Sequence, residues 1–315
     1  MIVLYDDIKK ADLALDALAK LRSFLNEKEP QLVQFLYRTW GNMRKAITYK
    51  EIREAILRGD LTAEQLLAWR QDYVKFVVRY VEPMWIDAME RANEPIRRYN
   101  TVWQFNADTP SVNAWCEREA AQFVTSVTDD QIKAIRFAVR RAATLNSLTV
   151  DTLSRVIRPM VGLDYRQTVA NMRHFESLVE SGMSVKKATE KSIIYSARQS
   201  RYRAYRIART ELAFAYNQGA YEGTKQAQEA GLLGHTVKVW CTAADERTCE
   251  SCGSLEGVRI EMDEDFYYES QSKNQFIRIN PKLRHNTIGK VPPAHPHCRC
   301  SVIYEEVTPP IYDMR

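Results

Sequence analysis

Along the first two-thirds of the chain, apolar residues recur every three or four positions, with polar residues between them. That period marks helices that turn one face to a core. Thr48-Tyr-Lys-Glu51 and Thr62-Ala-Glu-Gln65 both fit the capping box, in which the threonine hydroxyl accepts from a first-turn amide and the acid or amide side chain reaches back. Gly59 between them reads as a stop. Thr128-Asp-Asp-Gln131 repeats the signal ahead of the stripe Ile132, Ile135, Ala138 and Val139, and predicts another helix start there. Thr149 and Ser184 read as N-caps, the first before Leu153, Val156 and Ile157, the second before Ala188 and Ser192. Residues 101–109 read as a loop. Strand alternation is weak throughout residues 1–225, and the short turns favour a packed helical bundle.

The pattern changes after Gly231. His235-Thr-Val-Lys-Val-Trp240 and Val258-Arg-Ile-Glu-Met262 alternate, and Ser301-Val-Ile-Tyr304 is β-prone. The predicted fold class is mainly α: an N-terminal helical domain over 1–145, a helical core with a basic helix over 146–230, and a small C-terminal α+β domain, stabilised by zinc, over 231–315. So short a terminal unit has little core of its own, and a metal staple suits it.

Composition narrows the class. Of 315 residues, 45% are hydrophobic and 27% charged, which excludes wholesale disorder. No charge-poor stretch approaches the ~18–20 apolar residues of a membrane helix, and charges from Asp6 onward leave no secretory h-region. A soluble intracellular protein without membrane partners is expected. The net charge of +5 permits a polyanionic partner without requiring one.

The six cysteines are uneven: Cys116 stands alone, while Cys241, Cys249, Cys252, Cys298 and Cys300 fall late in the chain. Without a secretion signal, metal ligation is the first reading. Cys249-Glu-Ser-Cys252 supplies two thiolates on a tight turn, suited to two corners of a zinc tetrahedron with Zn–S of ~2.3 Å. His295-Pro-His-Cys298-Arg-Cys300 offers four candidates for the other two. The favoured set is Cys249, Cys252, His295 and Cys300, with Cys298 the first substitute and His297 last, because 296–298 reads as a sharp turn. Reduced thiols in a small core, or a redox pair, are the competing readings. A zinc nucleobase deaminase requires an HxE upstream and a PCxxC; here Thr248 precedes the first cysteine and no HxE is found. A filled, thiolate-rich sphere leaves no place for water, so a structural zinc is expected and no catalytic residue is assigned.

Residues 186–209 carry Lys186, Lys187, Lys191, Arg198, Arg201, Arg203, Arg206 and Arg209 against one acid, Glu190, with Tyr195, Tyr202 and Tyr205 interleaved. On a helix, Ala197, Ala204, Ala208, Leu212 and Ala215 form an apolar seam from which Arg203 and Arg206 project. The functional reading is non-specific, salt-sensitive contact with double-stranded DNA through Lys186, Lys187, Lys191, Arg198, Arg203 and Arg206. The same bases read equally well as a solvated face whose arginines pair with acids of neighbouring helices. Glu211 borders the seam and needs a cationic partner; Arg247 or Arg299 is the expected one, docking the zinc unit onto the helix. Asp245 or Thr248 reads as the cap of the turn into the knuckle. The acidic stretch 261–269 and the basic 282–285 read as surface loop or partner contact.

Ala208-Arg-Thr-Glu211, Asn217, Trp240, Asp245-Glu-Arg-Thr-Cys249-x-x-Cys252, Leu255, Gly257 and Pro293-x-His295-Pro-x-Cys298-Arg-Cys300 stand in an order that resembles the minor head proteins of tailed bacteriophages, the phage Mu F-like head-morphogenesis group. Gly162-Leu163 is similar to that family's run-up to the Ala-Arg-Thr-Glu segment, so the likeness covers about residues 150–305. It implies a minor component of the virion, inside the capsid near the portal vertex, passing through the host cytoplasm during assembly. Portal protein, major capsid or scaffolding protein and DNA are the implied partners, and packaging or ejection the implied role. It also implies no established catalysis; Arg209, Glu211, Asp245, Arg247 and Arg299 read as structural residues. The long gap between the metal half-sites departs from the commoner pattern. The rival reading is a zinc-supported nuclease of HNH type with His285, His295 or His297 as base; it lacks a compact His-Asn-His spacing and a second, hard-ligand divalent site. A DNA-binding regulator is weaker still, since no recognition helix stands out.

Overall fold

The computed structural model describes residues 7–145, 148–243, 245–268 and 286–307. Among the described residues ten α-helices and five strands follow in order: α1 (Asp7–Ala46), α2 (Tyr49–Arg58), α3 (Ala63–Phe76), α4 (Glu82–Ala92), α5 (Glu94–Tyr99), α6 (Pro110–Ala143), α7 (Val150–Ile157), α8 (Tyr165–Glu180), α9 (Val185–Glu229), β1 (Thr236–Cys241), α10 (Glu250–Gly253), β2 (Arg259–Glu261), β3 (Phe266–Tyr268), β4 (Asn286–Gly289) and β5 (Ser301–Glu306). The chain is mainly α with a small C-terminal α+β part, as the pattern predicts.

The caps explain several boundaries. Thr48 and Thr62 close full capping boxes with Glu51 and Gln65, Gly59 ends α2 at φ 84°, and Thr149 accepts from the Thr152 amide. Helix α9 begins directly after Ser184, and 101–109 is a loop. Thr128 does not start a helix. It lies inside the 34-residue α6, buried at 2% exposure. Val124, Val127, Ile135 and Ala138 continue one buried stripe through it, and that burial outweighs a local capping signal worth ~1 kcal/mol.

The residues cluster into two compact units, each drawn from separate stretches. One comprises Pro30–Glu82 and Cys116–Arg206; the other comprises Met1–Glu29, Pro83–Trp115 and Ile207–Arg315. The long helices α1, α6 and α9 each supply residues to both units.

In the first unit, Trp40 is fully buried and its indole N–H donates to the Tyr73 hydroxyl (2.9 Å), which donates to Gln131 Oε1 (2.7 Å). Burial pushes the Tyr73 phenol up to about 12, so it stays a donor. Gly162 has φ 95°, and a Cβ there would come within 2.7 Å of the Trp40 ring, so only glycine fits. Arg203 completes the group. It is 2% exposed, donates to the Gly162 carbonyl (2.8 Å) and Asp130 (3.4 Å), and lies 5.6 Å from the Trp40 ring. Arg203, read from the sequence as projecting away from the apolar seam, is thus buried. The seam of α9 in this unit runs through Ala188, Ser192, Ser196, Ser200 and Ala204, while Ala197 is exposed; the buried face includes serines, and counting alanines alone rotates it. Arg203→Ala is expected to destabilise the protein by about 2–4 kcal/mol in urea unfolding, because it strands a buried carbonyl and leaves a cavity. Arg198→Ala, on the exposed face, is expected to stay within about 0.5 kcal/mol.

In the second unit, α9 from Leu212 to Thr224 is buried around almost its whole circumference. Gly219 and Gly223 let α4 approach at Met89 and Asn93: a Cβ on Gly219 would sit 2.2 Å from the Met89 Cα, and one on Gly223 1.7 Å from Asn93 Oδ1. Asn93 Nδ2 donates to the carbonyls of Met89 and Gly219, both at 2.8 Å. Strands β2-β1-β5 form an antiparallel sheet, with Val237 opposite Glu261 and Glu305, and Val239 opposite Arg259 and Ile303. The sheet matches the strands expected near 235–240, 258–262 and 301–304; the residue pattern does not predict the β3–β4 pair. One core joins Trp240, Phe266, Val302 and Tyr304 to Cys252, Cys298 and Cys300, and the Trp240 and Phe266 rings meet edge-on at 5.0 Å.

Candidate metal centre

The two halves of the centre arrive by different routes. Cys249 precedes the single turn α10 and its sulfur accepts from the Cys252 amide at 3.4 Å, which turns both thiols to one side. The second half follows the Pro292–Pro293 cis bond and a turn in which Cys298 N–H donates to the His295 carbonyl (3.0 Å). His297 takes φ 65° there, the sharp turn expected at 296–298.

Side chains from both halves converge. His295 Nε2 lies 3.1 Å from Cys249 Sγ and 3.2 Å from Cys252 Sγ, and Cys252 Sγ lies 3.8 Å from Cys298 Sγ. Among the described residues they form two overlapping triads, Cys249–Cys252–His295 and Cys252–Cys298–Cys300, with all ligand atoms of each triad within 4.8 Å of one another. Cys252 belongs to both. The edge of a ZnS4 tetrahedron is ~3.8 Å for bonds of ~2.3 Å, the separation of Cys252 and Cys298. Soft thiolates and one imidazole fit zinc or a similar thiophilic ion, and such a group could bind a metal.

The thiols already act on one another. Hydrogen bonds from Cys252 and Cys300 pull the Cys298 thiol far down. The bonds to Cys298 and then Cys300, followed by burial, push Cys252 far up. Three sulfurs this close share little negative charge without a cation. Cys241, pushed up to about 12 by burial, faces the β5 residue Ile303 and joins neither triad.

The surrounding residues tie the halves together. Arg299 forks onto Asp245 with Nη1 to Oδ2 at 2.6 Å and Nη2 to Oδ1 at 2.5 Å, which holds the Asp245 carboxyl well below the usual range. Asp245 also accepts from the amides of Arg247 (3.1 Å, side chain) and Thr248 (2.9 Å, carbonyl), so it shapes the turn into the knuckle as expected. Arg247 reaches Asp245 at 3.4 Å. Pairs of this kind, one shell out from the ligands, change metal affinity by about 10–100-fold; Arg299→Ala is expected to weaken zinc binding by that factor in competition with a chromophoric chelator, with secondary structure unchanged by circular dichroism.

Helix α9 holds the centre through residues whose roles the residue pattern does not predict. Asn217 Nδ2 donates to Ala213 O (2.9 Å) and Cys300 O (3.4 Å), and Ser301 Oγ donates to Asn217 Oδ1 (3.0 Å). The His297 amide donates to Thr210 Oγ1 at 3.3 Å. Arg209 clasps Glu29 through Nε and Nη2, and Glu211 is half-buried. The placement of Thr210 and Asn217 in the motif is the available signal. Their partners are backbone groups far along the chain, which spacing cannot reveal.

The basic residues divide. Lys186, Lys187, Lys191 and Arg198 are exposed along α9. Arg206 pairs with Asp164 at 2.7 Å, and Arg203 is buried, so these two follow the alternative in which arginines pair with acids of neighbouring helices. His285 and the basic stretch 282–285 lie outside the described residues, as do positions 269–281. No helix among the described residues is long and apolar enough to cross a membrane.

Residues 160–303 match the family model described as Phage Mu protein F like protein. No curated protein and no solved structure matches the chain.

Proposed function

We propose that this chain, whose residues 160–303 match the model of the Phage Mu protein F like family, is a non-enzymatic minor head protein, carried inside the capsid near the portal vertex and acting in DNA packaging or ejection. The observation that carries the reading is that the family match spans the convergent cysteines and histidine together with the α9 residues that hold them. In this proposal a zinc ion sits among Cys249, Cys252, His295 and one of Cys298 or Cys300, and its task is architectural. A thiolate-rich closed sphere offers no open position for water or substrate. Cys298, at the spacing of a tetrahedral edge from Cys252, is as well placed as Cys300.

Portal protein and capsid or scaffolding subunits are the proposed protein partners. The proposed DNA contact uses Lys186, Lys187, Lys191 and Arg198, the bases that face solvent, and it is independent of sequence because it depends on phosphate charge. Heads assembled with this chain carrying an affinity tag are expected to retain it after purification and nuclease treatment. Its absence from heads and from portal rings would remove the assignment. Changing the four bases to alanine is expected to make the salt slope of duplex binding shallower, by up to about 0.9 for each phosphate that is no longer neutralised.

A further inference from the structure

The second compact unit contains a cavity of about 240 Å³ whose wall carries four arginines, Arg22, Arg209, Arg247 and Arg299, with Asn26 and a leucine side formed in part by Leu21. Among the described residues no acid lines it, although two carboxylates outside the wall grip its arginines: Glu29 holds Arg209, and Asp245 holds Arg299 and, at 3.4 Å, Arg247. Glu246 approaches Arg247 only loosely, at 3.9 Å. Four guanidiniums thus line a concave, partly apolar space, two of them fixed by the carboxylates of Glu29 and Asp245.

We propose that this cavity is a binding site for a phosphate-bearing ligand, with a pyrophosphate-sized anion as its natural occupant. Each guanidinium has five N–H donors. Glu29 engages Nε and Nη2 of Arg209, and Asp245 engages Nη1 and Nη2 of Arg299, so donors remain on each while the carboxylates fix the arginine planes. Arg22 has no ion-pair partner among the described residues. Forked guanidinium donors match phosphate oxygens in pairs. At ~30 Å³ for each liquid water, the space takes a group of several heavy atoms, larger than a chloride and smaller than a peptide segment. The site is separate from the exposed bases of α9 assigned to duplex contact, which belong to the other unit.

The test is calorimetric titration of the full-length protein with sodium pyrophosphate in chloride buffer. Saturable binding is expected, and Arg22→Ala with Arg247→Ala, both at exposed positions, is expected to weaken it at least tenfold, since charge-assisted bonds of this kind each contribute about that factor. Lys186→Ala with Lys187→Ala is expected to leave it unchanged. No saturable binding, or equal affinity in the arginine variant, would overturn the proposal; pyrophosphate that merely stripped metal from the cysteines would act equally on that variant and give the second result. Competition by a short duplex assigns the source. Displacement only by a 5′-phosphorylated duplex points to a nucleic-acid end, displacement by any duplex to backbone phosphate, and displacement by neither to a free phosphate ligand.

Discussion

Replacing Cys252 with serine is expected to abolish the proposed metal binding and to loosen the whole β2-β1-β5 region. Cys252 is the one residue common to both ligand triads, and it is itself buried in the core that contains Trp240, Leu255, Phe266 and Val302. Structural zinc sites contribute about 10–16 kcal/mol in small peptides, which over four ligands is ~3 kcal/mol each, or roughly 100-fold in affinity. The serine variant is therefore expected to bind zinc at least 100-fold more weakly, and to lose hydrogen-exchange protection at Val239, Trp240 and Ile303. Cys298→Ser and Cys300→Ser are expected to differ from one another, because only one of the two completes the tetrahedron; the variant that keeps its metal identifies the spare thiol. Cys241→Ser, outside both triads, is expected to leave binding unchanged.

The second large effect is steric. Gly219→Ala puts a methyl 2.2 Å from the Met89 Cα, a clash that no side-chain rotation relieves. The backbones of α4 and α9 have to separate, and with them the Asn93 bonds to Gly219 and Met89. Overpacking of a dense core costs about 1–3 kcal/mol, and a backbone clash belongs at the upper end. A loss of about 3 kcal/mol or more is expected in urea denaturation, against a few tenths for Gly253→Ala, where nothing lies within 4 Å. Asn93→Ala separates the two contributions, since it removes the hydrogen bonds while leaving the close approach at the glycine open.

Local chemistry makes part of this legible in the sequence. Thr48, Thr62 and Thr149 cap their helices through residues three positions away, and β1, β2 and β5 alternate as short buried strands do. The candidate metal ligands are legible for a similar reason: each half-site is compact, and a Cys-x-x-Cys followed by a His/Cys cluster reads first as metal ligation. What fails depends on partners remote in sequence. Thr128 carries a sound capping signal, but Gln131, three residues on, is committed to Tyr73 and the stripe around it is buried. Arg203 looks like its exposed neighbours until Gly162 and Trp40 enclose it. Gly219 and Gly223 lie on a helix buried almost all round, where amphipathic period gives no direction. Strands β3 and β4 are only three and four residues long and pair across the 269–285 stretch, too brief for a periodicity to register.

Each role assigned to the Ala208–Glu211 segment, Asn217, Asp245 and Arg299 presupposes that the cysteines and His295 close on one ion. Native mass spectrometry of the full-length protein, purified without chelator or added metal, tests this most directly. The account predicts one zinc per chain in the wild type and none in Cys252→Ser. A metal-free wild type, or a Cys252→Ser variant that still carries zinc, would contradict it.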